Sequence, residues 1–174
     1  VFQGNNITDQ NSDLAVIQEM ASSSAFMSAG RLIDTVALMP GHAGMQCDAQ
    51  QAYTQSHLGG HKTWVFLPKD QSLPEWSKYR RPVVRLDLAL YGHPLSGVFW
   101  EQHCAAKLKE IGFIPMQGWG SCYLHPTLMM VLSIYVDDFK MAGPRENLSK
   151  GWAMLRRVTE IQEPTQVGLY LGCQ

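Results

Sequence analysis

The strongest constraint on this chain is an apolar run, Leu128-Met129-Met130-Val131-Leu132-Ser133-Ile134-Tyr135-Val136, that ends on two adjacent carboxylates, Asp137 and Asp138. Turn signals bracket it, Pro126-Thr127 before and Gly143-Pro144 after. Its length and β-branched content predict a buried strand over 128–136 that reverses at the acid pair into a second strand over 139–142. Burying two uncompensated carboxylates costs an amount comparable with the whole stability margin of a small domain, so something must offset them, and a divalent cation is the natural candidate. The plainer reading is turn chemistry: Asp at a solvated hairpin tip bonds nearby backbone and needs no metal. For the dipeptide alone that reading is the stronger one. A third carboxylate at the end of another strand would change the balance.

Asp48 is that candidate. Ala43-Gly44-Met45-Gln46-Cys47-Asp48 predicts a short strand ending at the acid, and Ala49-Gln50-Gln51-Ala52-Tyr53 a helical turn directly after it. Asp is also a good N-cap, which is sufficient reason for an acid at this position. Spacing alone does not place this strand beside the acidic turn.

The rest of the chain supplies the frame. Residues 1–13 read as a loop, and 14–39 as a helix with apolar contacts at three and four spacing, ended by Pro40-Gly41. Thr63-Trp64-Val65-Phe66-Leu67 is a strand stopped by Pro68, and Val83-Val84-Arg85-Leu86 another. Between them Lys69, Lys78, Arg80 and Arg81 are interleaved with Trp76 and Tyr79; basic and aromatic side chains can hold a nucleic-acid backbone, although a solvated loop with two prolines explains the same letters. Ser96 is placed to cap a helix whose stripe is Trp100, Cys104, Leu108 and Ile111, with Gly112 as its stop. Residues 119–125 form the first strand of the hairpin system, 146–161 a last helix and 167–172 a closing strand. This order predicts an α+β fold, with helices packed on one face of a mostly antiparallel sheet.

Composition narrows the function classes. With 174 residues, 45% hydrophobic and 17% charged, the sequence describes a packed globule of one ordinary domain rather than a disordered chain. A net charge of −1 means that any nucleic-acid binding must rest on a local patch. Cys47, Cys104, Cys122 and Cys173 are scattered without a Cys-x-x-Cys pair, so neither a zinc site nor a disulfide scaffold is suggested and a reducing interior is the expected setting. No stretch reaches the roughly 18 apolar residues of a membrane span, so no membrane partner is expected. The chain opens on Val1 without an initiator Met and is expected to be a segment of something longer.

Taken in series, Asp48-Ala49-Gln50-Gln51-Ala52-Tyr53, Arg85-Leu86-Asp87-Leu88-Ala89-Leu90-Tyr91-Gly92 with Trp100 following, Leu108-Lys109-Glu110-Ile111-Gly112-Phe113, Tyr135-Val136-Asp137-Asp138 and Tyr170-Leu171-Gly172 resemble the reverse transcriptase domain of copia-type LTR retrotransposon polyproteins (Pseudoviridae-like). The order and gaps match over nearly the whole chain. The resemblance implies a polymerase palm spanning 1–174, with fingers and thumb incomplete.

It also implies a site. Asp48, Asp137 and Asp138 would hold two magnesium ions, manganese being a possible substitute, for transfer of a deoxynucleotide to a primer 3′-hydroxyl. Tyr53 would lie under the sugar of the incoming nucleotide and exclude a ribose 2′-hydroxyl, although a core tyrosine is an equal reading of the residue itself. Tyr135 would pack near the primer end, and Lys78, Arg80 and Arg81 would touch primer or template. Family members read Leu-Tyr-Gly-Leu-Lys-Gln where this chain has Leu90-Tyr91-Gly92-His93-Pro94-Leu95, so Leu95 stands at the nucleotide-facing position of a polar Gln and offers apolar contact only. The implied partners are an RNA or DNA template, a primer, deoxynucleoside triphosphates and the rest of the parent polyprotein, in a cytoplasmic particle or the nucleus. The alternative is a catalytically inactive relic or nucleic-acid-binding module that keeps only the fold. A nucleotide cyclase is disfavoured by the lack of a glycine-rich turn before the acid pair.

Overall fold

The computed structural model describes residues 7–9, 11, 13 and 27–168. Its centre is the acidic hairpin: β6 (Met130–Tyr135) pairs antiparallel with β7 (Asp138–Pro144), Tyr135 opposite Asp138, so only Val136 and Asp137 form the loop. β7 pairs in turn with β1 (His42–Asp48) over seven positions, from His42 opposite Pro144 to Asp48 opposite Asp138. β5 (Cys122–His125) and β4 (Ile114–Pro115) extend the sheet beyond β6, and β8 (Thr165–Gln166) lies on the outer edge of β1. The resulting order is β4-β5-β6-β7-β1-β8, every pair antiparallel. β2 (Trp64–Phe66) and β3 (Val83–Arg85) pair separately as a two-stranded element.

Strand alternation decides how the helices cover this sheet. Met130, Leu132 and Ile134 of β6, with Phe139 and Met141 of β7, face Trp100, Cys104 and Leu108 of α2 (Ser96–Glu110) and Leu148, Trp152 and Leu155 of α3 (Arg145–Arg156). The positions between them, Val131 and Ala142, face Ile33 of α1 (Met27–Ala37). On that face the buried Lys140 ammonium meets Asp34 of α1 at 2.6 Å, giving the cation the partner that burial requires. The α+β class and the antiparallel sheet agree with the sequence reading, but the expectation of helices on one face is corrected: α2 and α3 share a face and α1 takes the other. The cause is in the central strands, which are buried at both parities and therefore need cover on both sides.

Other boundaries shift for local reasons. The first helix is described from Met27 to Ala37, and most of the stretch expected before it lies outside the described residues. Ser96 does not cap α2: it lies inside the helix, where its hydroxyl donates to Leu90 O at 2.7 Å and accepts from Leu90 N at 2.9 Å, tying the helix start to the preceding loop. The last helix stops at Arg156, and Ile161 instead bridges to Ala49. The closing strand is Thr165–Gln166 rather than 167–172, of which 169–172 lie outside the described residues. Among the described residues no helix is long and apolar enough to cross a membrane.

Candidate functional site

The register of β1 against β7 decides the question that spacing left open. Asp48 and Asp138 are cross-strand partners, and Asp137 occupies the adjoining turn. Hydrogen bonds outside the ladders hold this end of the sheet: Ala49 N donates to Asp137 O at 2.7 Å, Gln162 N to Asp48 O at 2.9 Å, and the indole Nε1 of Trp100 to Val136 O at 2.6 Å. Asp48 does not cap the turn that follows. The helical turn begins at Ala52, headed by Gln51 with a φ of 49° and no side-chain cap, so the capping explanation for Asp48 fails.

The turn itself is strained. Two-residue hairpin loops call for positive φ, usually met by Gly, yet here Val136 holds a φ of 55°. For a non-glycine residue such a conformation costs about 1–3 kcal/mol and persists only where its surroundings over-determine it.

The electrostatics follow from the clustering. Asp138 is half-buried, and its carboxyl is raised above the usual range first by burial, then by the charges of Asp137 and Asp48. Among the described residues none of the ion pairs reaches these three acids. The pair is less buried than the sequence suggested: Asp137 is half-buried like Asp138, and Asp48 is exposed. Behind Asp48, the thiol of buried Cys47 is pushed up to about 12, chiefly by burial and next by Asp48, which leaves it protonated and inert.

Three carboxylates supply the hard anionic oxygens that magnesium takes, and their mutual repulsion is what a cation would relieve. Their side chains do not converge as a ready ligand set, however: among the described residues no group of three or more His, Cys, Asp or Glu is arranged to hold a metal ion.

Tyr53 stands beside this site on the turn Ala52–Gln55. Its hydroxyl is raised by burial first and then by Asp137 and Tyr135, which places the ring in their neighbourhood. Tyr91 packs against it, ring centroids 4.4 Å apart at 44°, and feels Asp137 as well. No role was assigned to Tyr91 from sequence; the signal was only its place in the Leu90-Tyr91-Gly92 motif. Tyr135 is exposed at the end of β6.

The remaining sequence-predicted residues lie elsewhere. Leu95 heads α2; its N–H donates to His93 Nδ1 at 3.2 Å, and a β-carbon on Gly60 would stand 3.7 Å from its Cδ1, so its side chain lies against that loop. Buried His93 also bonds Thr63 Oγ1 through Nε2 at 3.2 Å, joining the base of β2 to the start of α2, a link that sequence reading missed. Lys78, Arg80 and Arg81 are exposed between β2 and β3, with the Lys78 ammonium 5.1 Å from the Tyr79 ring and the Arg81 guanidinium 4.4 Å from that of Phe66. The structure brings Asp48, Asp137, Asp138, Tyr53 and Tyr135 together and sets these three cations on a separate element.

No protein-family model matches the chain, and no curated protein does. Among solved structures it is similar to a telomerase from Candida albicans, determined in complex with a TWJ fragment of telomeric RNA, at 10% identity and a TM-score of 0.39. That overlap covers 84% of this chain and 31% of the telomerase chain. A likeness this distant carries no argument, so a functional reading rests on the site.

Proposed function

We propose that this chain is the palm-centred part of a copia-type reverse transcriptase, whose reaction is template-directed transfer of deoxynucleotides to a primer 3′-hydroxyl. The observation that carries the reading is the β1–β7 register, which puts Asp48 opposite Asp138 with Asp137 in the turn beside them. Asp48, Asp137 and Asp138 would hold two magnesium ions, which when bound would activate the primer hydroxyl and neutralise charge on the triphosphate and the departing pyrophosphate. Tyr53, backed by Tyr91, walls the sugar side of the site and excludes a 2′-hydroxyl by its bulk. Exposed Tyr135 supports the primer end, and Lys78, Arg80 and Arg81 contact phosphates of the template strand.

A second reading, a non-catalytic relic or nucleic-acid-binding module, is favoured by one pair of observations: Leu95 packs against Gly60, and the three carboxylates do not converge as a ligand set. Primer extension separates the two. On a poly-A template with oligo-dT and deoxythymidine triphosphate, the polymerase reading expects magnesium- or manganese-dependent extension by this chain and at least a 100-fold loss in Asp137→Asn, the upper end of what outer-sphere changes at metal sites produce. Folded wild-type protein that extends nothing under either metal supports the binding module.

A further inference from the structure

We propose that Trp100 is the positioning residue of the acidic turn, aiming Asp137 by fixing the peptide on its N-terminal side; the inference rests on the polymerase reading for its consequence but not for its geometry. The direction of the Asp137 side chain is set by two peptide groups, one shared with Val136 and one with Asp138. In a two-residue hairpin loop neither carbonyl has a ladder partner, and both would ordinarily face water. Here each is taken by a donor from a different element. Ala49 N, one residue past Asp48, bonds Asp137 O at 2.7 Å, and Trp100 Nε1 bonds Val136 O at 2.6 Å across 36 residues of sequence.

The Trp100 bond falls where the backbone most needs restraint, since Val136 is the residue held at a φ of 55°. The donor is itself immobilised. Trp100 is 2% exposed, packs in the main core with Ile134 and Phe139, and stacks on His103 with centroids 5.8 Å apart and planes 17° apart. A donor in a rigid setting holds its acceptor better than a mobile one, because less freedom is lost when the bond forms. The two bonds also bring the site's parts under one control: α2 steers the turn from one side, and the strand carrying Asp48 steers it from the other. Phe in place of Trp100 would keep an aromatic ring in the core and lose the donor together with part of the indole volume, a packing loss that the comparison variant must match.

The test compares the wild-type chain, Trp100→Phe and Leu108→Ala, the last removing packing from the same helix two turns away without touching the bond. Manganese affinity is read by electron paramagnetic resonance, and amide hydrogen exchange at Asp137 and Asp138 by NMR. Trp100→Phe is expected to weaken manganese binding on the order of tenfold, as losses of orienting hydrogen bonds at metal sites do. It should also speed exchange at the two acidic residues selectively, while Leu108→Ala leaves affinity within about twofold, despite a comparable loss of stability. Unchanged exchange at the turn in Trp100→Phe, or an equal loss of affinity in Leu108→Ala, overturns the proposal. If wild type binds no manganese, the metal reading fails, and the exchange data alone decide the role of Trp100.

Discussion

The acidic end of the six-stranded sheet and the two-stranded β2–β3 element carry the chain's two kinds of candidate functional residue, and they are built in opposite ways. At the acidic end, β6, β7 and β1 pair over long registers, helices cover both faces, and bonds from Trp100, Ala49 and Gln162 restrain the backbone outside the ladders. β2 and β3 pair over three residues each and leave Trp64, Phe66 and Val83 exposed. The bond from Leu86 N to Thr63 O at 2.9 Å only prolongs their own ladder, and the rest of the chain is reached through Thr63 to His93 and, just past β3, through Leu58 N to Asp87 O and Ala89 N to Ser56 O, each at 2.9 Å. A hairpin of this size is marginal by itself. The contrast separates two demands. On the proposed reading, carboxylates that share a cation would need fixed relative positions, whereas cations that meet a phosphate backbone would tolerate movement, because the attraction is long-ranged and its partner is repetitive.

If that difference in construction is real, equal truncations in the two regions must have unequal effects. Leu132, fully buried at the centre of the sheet, should lose about 2–5 kcal/mol on Leu132→Ala, measured by urea denaturation. Trp64→Ala, at a side chain 56% exposed, should stay within about 0.5 kcal/mol. Similar losses at both positions would show that β2–β3 is as tightly integrated as the sheet.

His93 probes the joint between the two regions. Burial lowers its pKa below the ordinary 6.5, so the folded protein holds it neutral near pH 7, with Nδ1 accepting from Leu95 N. A His with a lowered folded pKa contributes its stability fully above the unfolded value, and that contribution shrinks as pH falls below about 6.5 toward the folded pKa. Wild type should therefore lose more stability than His93→Asn between about pH 8 and pH 5.5, read as the shift in urea midpoint. A smaller loss in wild type would reverse the sign and remove His93 from the joint.

The smallest effect is at Arg81, which should alter affinity without altering the site. Arg81→Gln should reduce the slope of log affinity against log salt for single-stranded template by about 0.7, the value of one phosphate contact, with stability nearly unchanged. An unchanged slope would take Arg81 off the template path.

What could be read from the letters was whatever local pattern dictates. The acid pair at a hairpin turn followed from an apolar run with turn signals on both sides, β1 ended at Asp48 as expected although the capping that suggested it did not occur, and the Trp100, Cys104, Leu108 stripe of α2 followed from helical spacing. Features that depend on what the chain meets in space were hidden. Nothing in the alternation of β6 and β7 said that α1 would take the opposite face from α2 and α3, and Ser96 reads as a cap until Leu90 is seen to occupy its hydroxyl. The Trp100 donor, the Tyr91 ring behind Tyr53 and the His93 link all join residues at least 30 positions apart, or distant turns, and so leave no periodic trace. Resemblance to a family supplied the pairing of Asp48 with the acidic turn, and the register then placed the two strands side by side.

The most direct test is primer extension by Asp48→Asn and Arg81→Gln over a range of template concentration. The account predicts that Asp48→Asn is inactive at every template concentration, because it removes a carboxylate from the reacting site, while excess template restores Arg81→Gln to near the wild-type rate. Activity of Asp48→Asn that recovers with added template would contradict the assignment of Asp48, Asp137 and Asp138 as one site.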